Sequence, residues 1–426
     1  EKHHDDRTEF QRDYDRLIFS APFRRLQSKT QVFPLPGSIF VHNRLTHSLE
    51  VACVGRSLGN GVSRKLQQKH SEKQQLSPFM DEIGAIVSAA CLAHDLGNPP
   101  FGHAGEKAIA SYFSEGGGLA LKAAHSINSI EWHDMTTFDG NANTFRLLTH
   151  RFKGRREGGF ALTYSTLAAI AKYPYASNHA PQGKQKFGFF QSEKADFERI
   201  VTELGILRLD EDKYARHPLV YLVEAADDIC YEVMDIEDAH KLKILDTAET
   251  QELLLGFIPE PRLPRTRQTL QMVEDKNEQI AYLRSTVIGL LIDACVDVFV
   301  ENEAQILAGE FSPSLIKKID PKLYVAYQKC EAVSFKRIYR YKDVVDIEIA
   351  GYNIIYTLIN RLSQAVFSPE KAYSKMLLAT VPEQYEINAP TPAGKLQAVL
   401  DYVSGMTDIY ALDLYRKING MSLPTL

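Results

Sequence analysis

The feature that most limits how this chain can fold is the spacing of its apolar residues, which recur mainly every three or four positions. This is the period of an α-helix with one buried face, whereas the alternating runs of half-buried β-strands are few and short. Ser77 and Pro78 form a typical helix start, an apolar stripe follows, and Gly97 ends the pattern. We therefore predict an all-α fold with a small β-hairpin insertion.

Two further predicted helices carry polar residues beside their apolar stripes. One holds Asp227, Tyr231 and Asp235 at spacings of four, which places all three on the same helical face. The other covers residues 43–59 and presents His47 next to its inward-facing residues. Polar groups that share a helix with core residues are candidates for a buried functional site.

Between these helices lies a less regular region. Residues 151–164, RFKGRREGGFALTY, are rich in basic residues and glycine and predict a hairpin, and residues 173–193 predict a loop. Helical patterns return at residues 278–304 and 342–365. Long irregular insertions in compact domains often bind ligands, so residues 173–193 are candidates for a binding segment.

No stretch has the composition of a linker between domains. We therefore predict a single domain over residues 1–426, with a helical core at about residues 12–245 and a C-terminal helical part at about residues 246–426.

Composition excludes several classes of protein. Lys and Arg number 49 against 54 Asp and Glu, so the net charge of −5 provides no overall basic field, and any contact with nucleic acid must be local. No apolar run is long enough to span a membrane, and the polar first residues do not resemble a secretory signal. The five cysteines are odd in number and far apart, which favours reduced thiols. We expect a cytoplasmic protein without membrane contact.

The dipeptide His94-Asp95 stands out from two other His-Asp pairs in the chain. It ends an apolar helix and is followed by LGNPPFGH, a turn-rich segment that presents His103. A simpler interpretation stays open, in which His94 only interacts with the last carbonyls of its helix.

His47 and Asp227 strengthen the metal-binding interpretation, because each lies on a helix that buries its neighbours and buried charges are costly unless paired or coordinated. Together with His94 and Asp95 they form a set of nitrogen and oxygen donors without thiolate. Such a set suits Mn²⁺, Mg²⁺ or Fe better than structural zinc. Asp228 is the rival of Asp227 at this stage.

Three long segments carry a resemblance to a known family: FRRLQSKTQVFPLPGSIFVHNRLTHSLEVACVGRSLG, HDLGNPPFGHAGE and EAADDICYEVMDIEDA. They resemble the dGTP triphosphohydrolase (dGTPase) family of the HD-domain metal-dependent phosphohydrolases. The similarity covers about residues 12–239 and returns in SFKRIYRYKDVVDIEIAGYNII.

The resemblance implies an all-helical HD domain that hydrolyses dGTP to deoxyguanosine and inorganic triphosphate, with water attacking the α-phosphorus. It also implies one divalent metal ion per subunit, Mn²⁺ or Mg²⁺ first and Fe, Co or Ni as alternatives, bound by His47, His94, Asp95 and Asp227. We choose Asp227 over Asp228 because the family motif places a tyrosine four residues later and an aspartate eight residues later, as here.

His103 and Glu106 match the catalytic histidine and glutamate of the family. Their spacing of three residues allows Glu106 to orient an imidazole that exchanges a proton during hydrolysis. The alternatives are a turn histidine and a carboxylate that complements a helix N-terminus.

The resemblance also assigns residues to the parts of the substrate. Phosphate contacts fall on Arg44, Lys172 and Tyr173, with Lys186 as a weaker candidate. Contacts to the sugar fall on Gln31, Val32, Tyr231 and Asp235, and contacts to guanine on Tyr339 and Glu348. For Lys172 a solvated loop lysine is the alternative, and for Glu348 a surface carboxylate.

Two other functions stay open. One is an HD phosphohydrolase with broader dNTP specificity or another nucleotide substrate. The other is a nucleotide- or single-stranded-DNA-responsive regulatory protein, for which the basic run Lys153, Arg155 and Arg156 gives limited support. The resemblance further implies a homo-oligomer, with a hexamer favoured, and single-stranded DNA or a dNTP as a possible effector.

Overall fold

The computed structural model describes residues 6–33, 41–72, 77–155, 159–181 and 185–421. The first half of the chain contains α1 (Glu9–Ile18), α2 (Ala21–Arg25), α3 (Arg44–Lys69), α4 (Ile83–Ala93), α5 (Gly102–Ser114), α6 (Gly118–His125), α7 (Ser129–Thr136), α8 (Gly140–Thr149), α9 (Tyr164–Ile170), α10 (Lys194–Glu203) and the strands β1 (Arg208–Asp210) and β2 (Lys213–Tyr214).

Every regular element described in the second half is a helix. This half contains α11 (Val220–Lys241), α12 (Thr247–Leu255), α13 (Leu263–Met272), α14 (Lys276–Glu301), α15 (Glu303–Leu307), α16 (Pro321–Val333), α17 (Lys342–Phe367), α18 (Ala372–Leu378), α19 (Pro392–Ser404) and α20 (Asp408–Ile418). The prediction of an all-α protein with one small hairpin is confirmed.

Two clusters of buried apolar residues form the interior. The first joins α3, α4, α11 and α14, and the second joins α5, α7, α17, α19 and α20. The segment between α4 and α5 crosses from the first cluster to the second. Residues at the end of α4 and the start of α5 therefore lie where the two halves of the fold meet.

Helix α3 begins as its sequence suggests and extends further than predicted. The Asn43 side chain accepts a hydrogen bond from the Thr46 amide, and the Thr46 side chain accepts one from the Asn43 amide, which caps the helix N-terminus. The helix continues past Gly59 to Lys69, because Gly59 packs against Gly84 of α4 instead of ending the helix.

The predicted position of the hairpin was wrong. The described residues 151–155 and 159–163 form turns and irregular backbone, and α9 begins at Tyr164. The hairpin lies at β1 and β2, where Arg208 pairs with Tyr214 in antiparallel register. Strands this short have no alternating pattern that a sequence could reveal. Arg156, part of the basic run considered above, lies outside the described residues.

No helix within the described residues is both long and apolar enough to cross a bilayer.

The close approach of α3 and α4 generates a stability prediction. A methyl group added at Gly59 would lie 2.7 Å from the Gly84 Cα, so Gly59→Ala must push the helices apart. We expect a loss of about 1–3 kcal/mol in the free energy of unfolding, measured by urea denaturation. Gly289→Ala is the matched control, because Gly289 is exposed on α14 and its added methyl group would have no neighbouring atom within 4 Å. That control should gain up to about 1 kcal/mol. Equal stability of the two variants would refute the packing explanation.

Candidate active site

Three helices of the first core cluster bring the predicted metal ligands together. His47 lies one turn into α3, His94 and Asp95 directly follow α4, and Asp227 lies in the first half of α11. Because the apolar faces of these helices pack on one another, their polar residues meet at one edge of the core.

The four side chains converge on a common centre. His47, His94 and Asp95 each offer a ligand atom within 4.8 Å of the others'. Asp227 Oδ1 lies 3.2 Å from His47 Nε2 and 3.5 Å from His94 Nε2. The arrangement has the donor types and the spacing of a divalent metal site.

The state of His94 fits a metal ligand. Its Nδ1 lies 2.6 Å from the Cys91 carbonyl oxygen, a contact in which the ring nitrogen donates. Its Nε2 is buried and has no hydrogen-bond partner among the described residues. A histidine that donates through one nitrogen and directs the other at a neighbouring group is the usual form of a coordinating imidazole.

The pKa shifts of the clustered side chains agree with a site that binds a cation. Burial acts to lower the pKa of His94, but the carboxylates of Asp95 and Asp227 outweigh it and raise this pKa to about 9. For Asp227, burial acts to raise the pKa, yet His94 and His47 hold it well below its usual range. The carboxylates are therefore ionised and stabilise positive charge between them.

Arg44 and Asn98 fix the Asp95 carboxylate. Arg44 Nη1 donates to Asp95 Oδ2 at 2.7 Å, and the Asn98 side-chain amide donates to Asp95 Oδ1. The Arg44 Nε has no partner among the described residues. Arg44 therefore touches a predicted metal ligand, whereas the resemblance assigns it to phosphate binding.

His103 and Glu106 lie on the first turns of α5, at the edge of the same site. Glu106 Oε1 accepts a hydrogen bond from the Gly140 amide at 2.7 Å, and Lys186 Nζ lies 3.4 Å from Glu106 Oε2. Desolvation by the surrounding protein lowers the pKa of His103; Glu106 opposes that shift, while Lys186 and Arg44 reinforce it. The imidazole is therefore neutral near pH 7 and able to accept a proton.

A cavity of about 1000 Å³, including its part open to solvent, adjoins the cluster. It is lined by the four predicted ligands and by Gln31, Arg44, His103, Glu106, Lys172, Tyr173, Lys186 and Tyr231. The Gln31 Oε1 is buried and has no partner among the described residues. The structure thus gathers most of the sequence-predicted site residues around one space large enough for a nucleotide.

Four predicted contacts do not line this cavity. Val32 is half-buried against the first core cluster, and Glu348 is exposed on α17. Asp235 is buried and accepts a hydrogen bond from the Tyr339 hydroxyl at 2.8 Å. The Tyr339 ring centroid lies 6.1 Å from that of Tyr231, so Asp235 and Tyr339 form a layer behind Tyr231. Their substrate contacts stay predictions.

Sequence reasoning missed three polar residues that line the cavity: Asn98, Asn141 and Glu224. Asn98 lies in the turn-rich segment after His94-Asp95, so its position next to the dipeptide was an available signal. Glu224 lies 3.5 Å from Lys172 Nζ, a contact that joins the start of α11 to the irregular segment after α9. No local sequence pattern predicts such a pair.

Family comparison defines the class of protein. Residues 44–132 match the HD domain, and residues 318–417 match the phosphohydrolase-associated domain. HD domains are metal-dependent, and the cluster of His47, His94 and Asp95 lies within the matched range. The chain is a hydrolase of the HD phosphohydrolase class.

Comparison with individual proteins narrows the class. The chain is 38% identical to a deoxyguanosinetriphosphate triphosphohydrolase-like protein of Pseudomonas aeruginosa, over 98% of this chain and 95% of the relative. A Synechocystis protein of the same description is 38% identical, over 99% of this chain and 96% of the relative. A deoxyguanosinetriphosphate triphosphohydrolase of Yersinia enterocolitica is 29% identical, over 96% of this chain and 93% of the relative. The chain belongs to the deoxyguanosinetriphosphate triphosphohydrolase-like family, as its motifs predicted.

The geometry of α11 generates a prediction about metal binding. Asp227→Ala should weaken Mn²⁺ binding by more than the roughly 10- to 100-fold typical of residues that only support a ligand. Asp228→Ala should change the affinity tenfold or less, because its backbone carbonyl accepts from Tyr327 and its side chain lies near Lys172, outside the cluster. Calorimetric titration with Mn²⁺ measures both affinities. Equal metal retention in the two variants would contradict the assignment of Asp227.

Proposed function

We propose that the protein is a metal-dependent hydrolase of dGTP that releases deoxyguanosine and inorganic triphosphate. The observation that carries the proposal is the meeting of His47, His94, Asp95 and Asp227 beside His103 in one open cavity. The names of the relatives support the choice of substrate, and the buried His94 Nε2, which has no hydrogen-bond partner within the described part of the chain, supports the metal.

His47, His94, Asp95 and Asp227 would hold one Mn²⁺ or Mg²⁺ ion. Such an ion, when bound, supplies polarisation of a phosphoryl oxygen and charge neutralisation at the reacting phosphorus. Arg44 and Asn98 keep the Asp95 carboxylate in one orientation, and the Cys91 carbonyl keeps His94 in one tautomer.

His103 is proposed to take a proton from the attacking water. Because its pKa is lowered, the imidazole is neutral near pH 7, as a general base must be, and Glu106 acts in the opposite direction on that pKa. Glu106, one helical turn away, is fixed by the Gly140 amide and favours the imidazolium that forms. The same imidazolium can then return the proton to the nucleoside 5′-oxygen as it leaves.

The triphosphate is proposed to contact the cationic side chains that line the cavity. These are Lys172, Lys186 and Arg44, and Tyr173 adds a hydroxyl donor. The carboxylates of Asp228 and Glu224 outweigh burial and raise the pKa of Lys172, so its ammonium group is charged at neutral pH. Positive groups in a partly desolvated cavity stabilise phosphate charge more strongly than they would in water.

The sugar is proposed to lie near Gln31 and Tyr231. The Gln31 Oε1, which has no hydrogen-bond partner among the described residues, is an acceptor for the deoxyribose 3′-hydroxyl, and the Tyr231 ring, supported by Tyr339, would crowd a 2′-hydroxyl. Steric exclusion of one hydroxyl yields only about a hundredfold discrimination against GTP.

Broader dNTP hydrolysis is the second candidate function. Glu348, the residue assigned to guanine, is exposed on α17 and does not line the cavity. Selection of guanine therefore rests on the resemblance and the names of the relatives, whereas the groups for metal, phosphate and sugar are gathered at the cavity.

A panel of dATP, dCTP, dGTP, dTTP and GTP with Mn²⁺ or Mg²⁺ tests both candidates. We expect dGTP to yield deoxyguanosine and intact triphosphate, resolved by anion-exchange chromatography, and GTP to react about a hundredfold more slowly. Release of orthophosphate or pyrophosphate instead would refute attack at the α-phosphorus. Similar rates for all four deoxynucleotides would favour the broader specificity.

The role of His103 predicts a specific pH profile. Since a base must be unprotonated and the pKa of His103 lies below its usual 6.5, the acidic limb of kcat/KM should fall below pH 6.5. Glu106→Gln removes the group that raises this pKa and should move the limb to still lower pH. Metal content measured at each pH excludes loss of the ion as the cause of the limb.

His103→Ala should lower kcat by roughly 10²- to 10⁴-fold while retaining Mn²⁺. A limb that stays unchanged in Glu106→Gln, or metal loss in His103→Ala, would contradict the proposed division between ligands and base.

A further inference from the structure

One buried carboxylate joins three segments that are far apart in the chain. Asp408, the first residue of α20, is 7% exposed. Its Oδ2 accepts hydrogen bonds from the Thr30 amide at 2.8 Å and the Thr30 hydroxyl at 2.6 Å. Its Oδ1 accepts one from the Phe101 amide at 3.0 Å. The C-terminal part of the fold is thereby tied to both sides of the candidate site.

The two segments held by Asp408 carry residues of the cavity. Thr30 directly precedes Gln31, and Phe101 lies two residues before His103 at the N-terminus of α5. Phe101 has a φ of 60°, in the left-handed region that residues with side chains rarely adopt. Such a conformation costs about 1–3 kcal/mol and persists only where surrounding contacts hold it.

A second contact from the C-terminal part reaches the metal side of the site. The Lys29 Nζ is buried and donates to the Asn98 carbonyl at 2.6 Å and the Ser404 carbonyl at 2.9 Å. The Asn98 side chain in turn donates to Asp95. Lys29 therefore connects the end of α19 to a residue that orients a predicted ligand.

A helix other than α20 contacts the Phe101 side chain. The ring packs against Gly351 of α17, where an added methyl group would lie 2.4 Å from the Phe101 Cγ. The left-handed residue is therefore held through its amide by α20 and through its ring by α17. Gly351 and Asp408 both lie within the residues that match the phosphohydrolase-associated domain.

We propose that Asp408 is a positioning residue for hydrolysis, which fixes the start of α5 so that His103 and Glu106 face the metal site. The proposal rests on the proposed function, in which His103 acts as the base. It assigns a task to the C-terminal part of the chain, none of whose described residues lines the cavity although two of its helices contact Phe101 at the start of α5.

Asp408→Ala tests the proposal. It leaves the Phe101 and Thr30 amides without their acceptor and should lower kcat by about 10- to 100-fold, the range for residues that orient a reacting group. KM and the affinity for Mn²⁺ should each change threefold or less relative to the wild-type protein. The number of Mn²⁺ ions bound per chain should stay about the same. Asp408→Asn keeps one acceptor oxygen and should recover part of the loss.

Two further variants keep the test decisive where Asp408→Ala folds poorly. Gly351→Ala displaces the Phe101 ring while Asp408 stays intact, and it should lower kcat with the same small change in KM. Asp413→Ala is the matched control on α20, because Asp413 forms an exposed pair with Lys417 and should leave kcat unchanged. Circular dichroism and thermal melting of every variant report the folded fraction.

Hydrogen exchange separates this proposal from the proposed function. Amides of residues 96–106 should exchange at least about tenfold faster in Asp408→Ala than in the wild-type protein or in Asp413→Ala, a change of about 1.4 kcal/mol in local opening. Unchanged exchange, or unchanged kcat in folded Asp408→Ala and Gly351→Ala, would overturn the positioning role. Absence of nucleotide hydrolysis in the wild-type protein would overturn the proposed function, while the exchange measurement would still decide whether Asp408 fixes the segment.

Discussion

The structure depends on one electrostatic constraint, the burial of two carboxylates against two imidazoles at the edge of a helical core. Charged groups cannot leave water without compensation, and here the carboxylates of Asp95 and Asp227 raise the pKa of His94, while His94 and His47 act to lower the pKa values of both carboxylates. The groups meet only if α3, α4 and α11 pack in one register. The contact between Gly59 of α3 and Gly84 of α4 allows these two helices to approach closely.

The helices and the cluster could be predicted because their signals are local. A helical period is repeated within a few turns, and His47, His94 and Asp227 each interrupt such a period with a side chain of a type that can bind a metal ion. The hairpin was misplaced for the converse reason. Its strands of three and two residues are too short for alternation, whereas the glycine and arginine content of residues 151–164 imitated a turn between strands.

The connections between the two halves of the fold could not be predicted from the sequence. Lys29 and Ser404 are separated by 375 positions, and Thr30 and Asp408 by 378. Neither Lys29 nor Asp408 belongs to a periodic pattern, and a lysine or an aspartate outside such a pattern is ordinarily a surface residue. Only the tertiary packing shows that both are buried and hydrogen-bonded to backbone groups beside the site.

Hydrogen bonds suit this connection better than apolar contacts would. Apolar packing depends on area and tolerates small shifts, whereas a carboxylate that accepts from two amides fixes both distance and direction. The Phe101 amide belongs to a residue in the left-handed region, and leaving it buried without an acceptor would cost about 1–3 kcal/mol in addition to the backbone strain. The hydrogen bond from the Phe101 amide to Asp408 of α20 therefore stabilises the start of α5. In the proposed function the HD residues supply the reacting groups, and the associated helices position the start of the helix that carries His103.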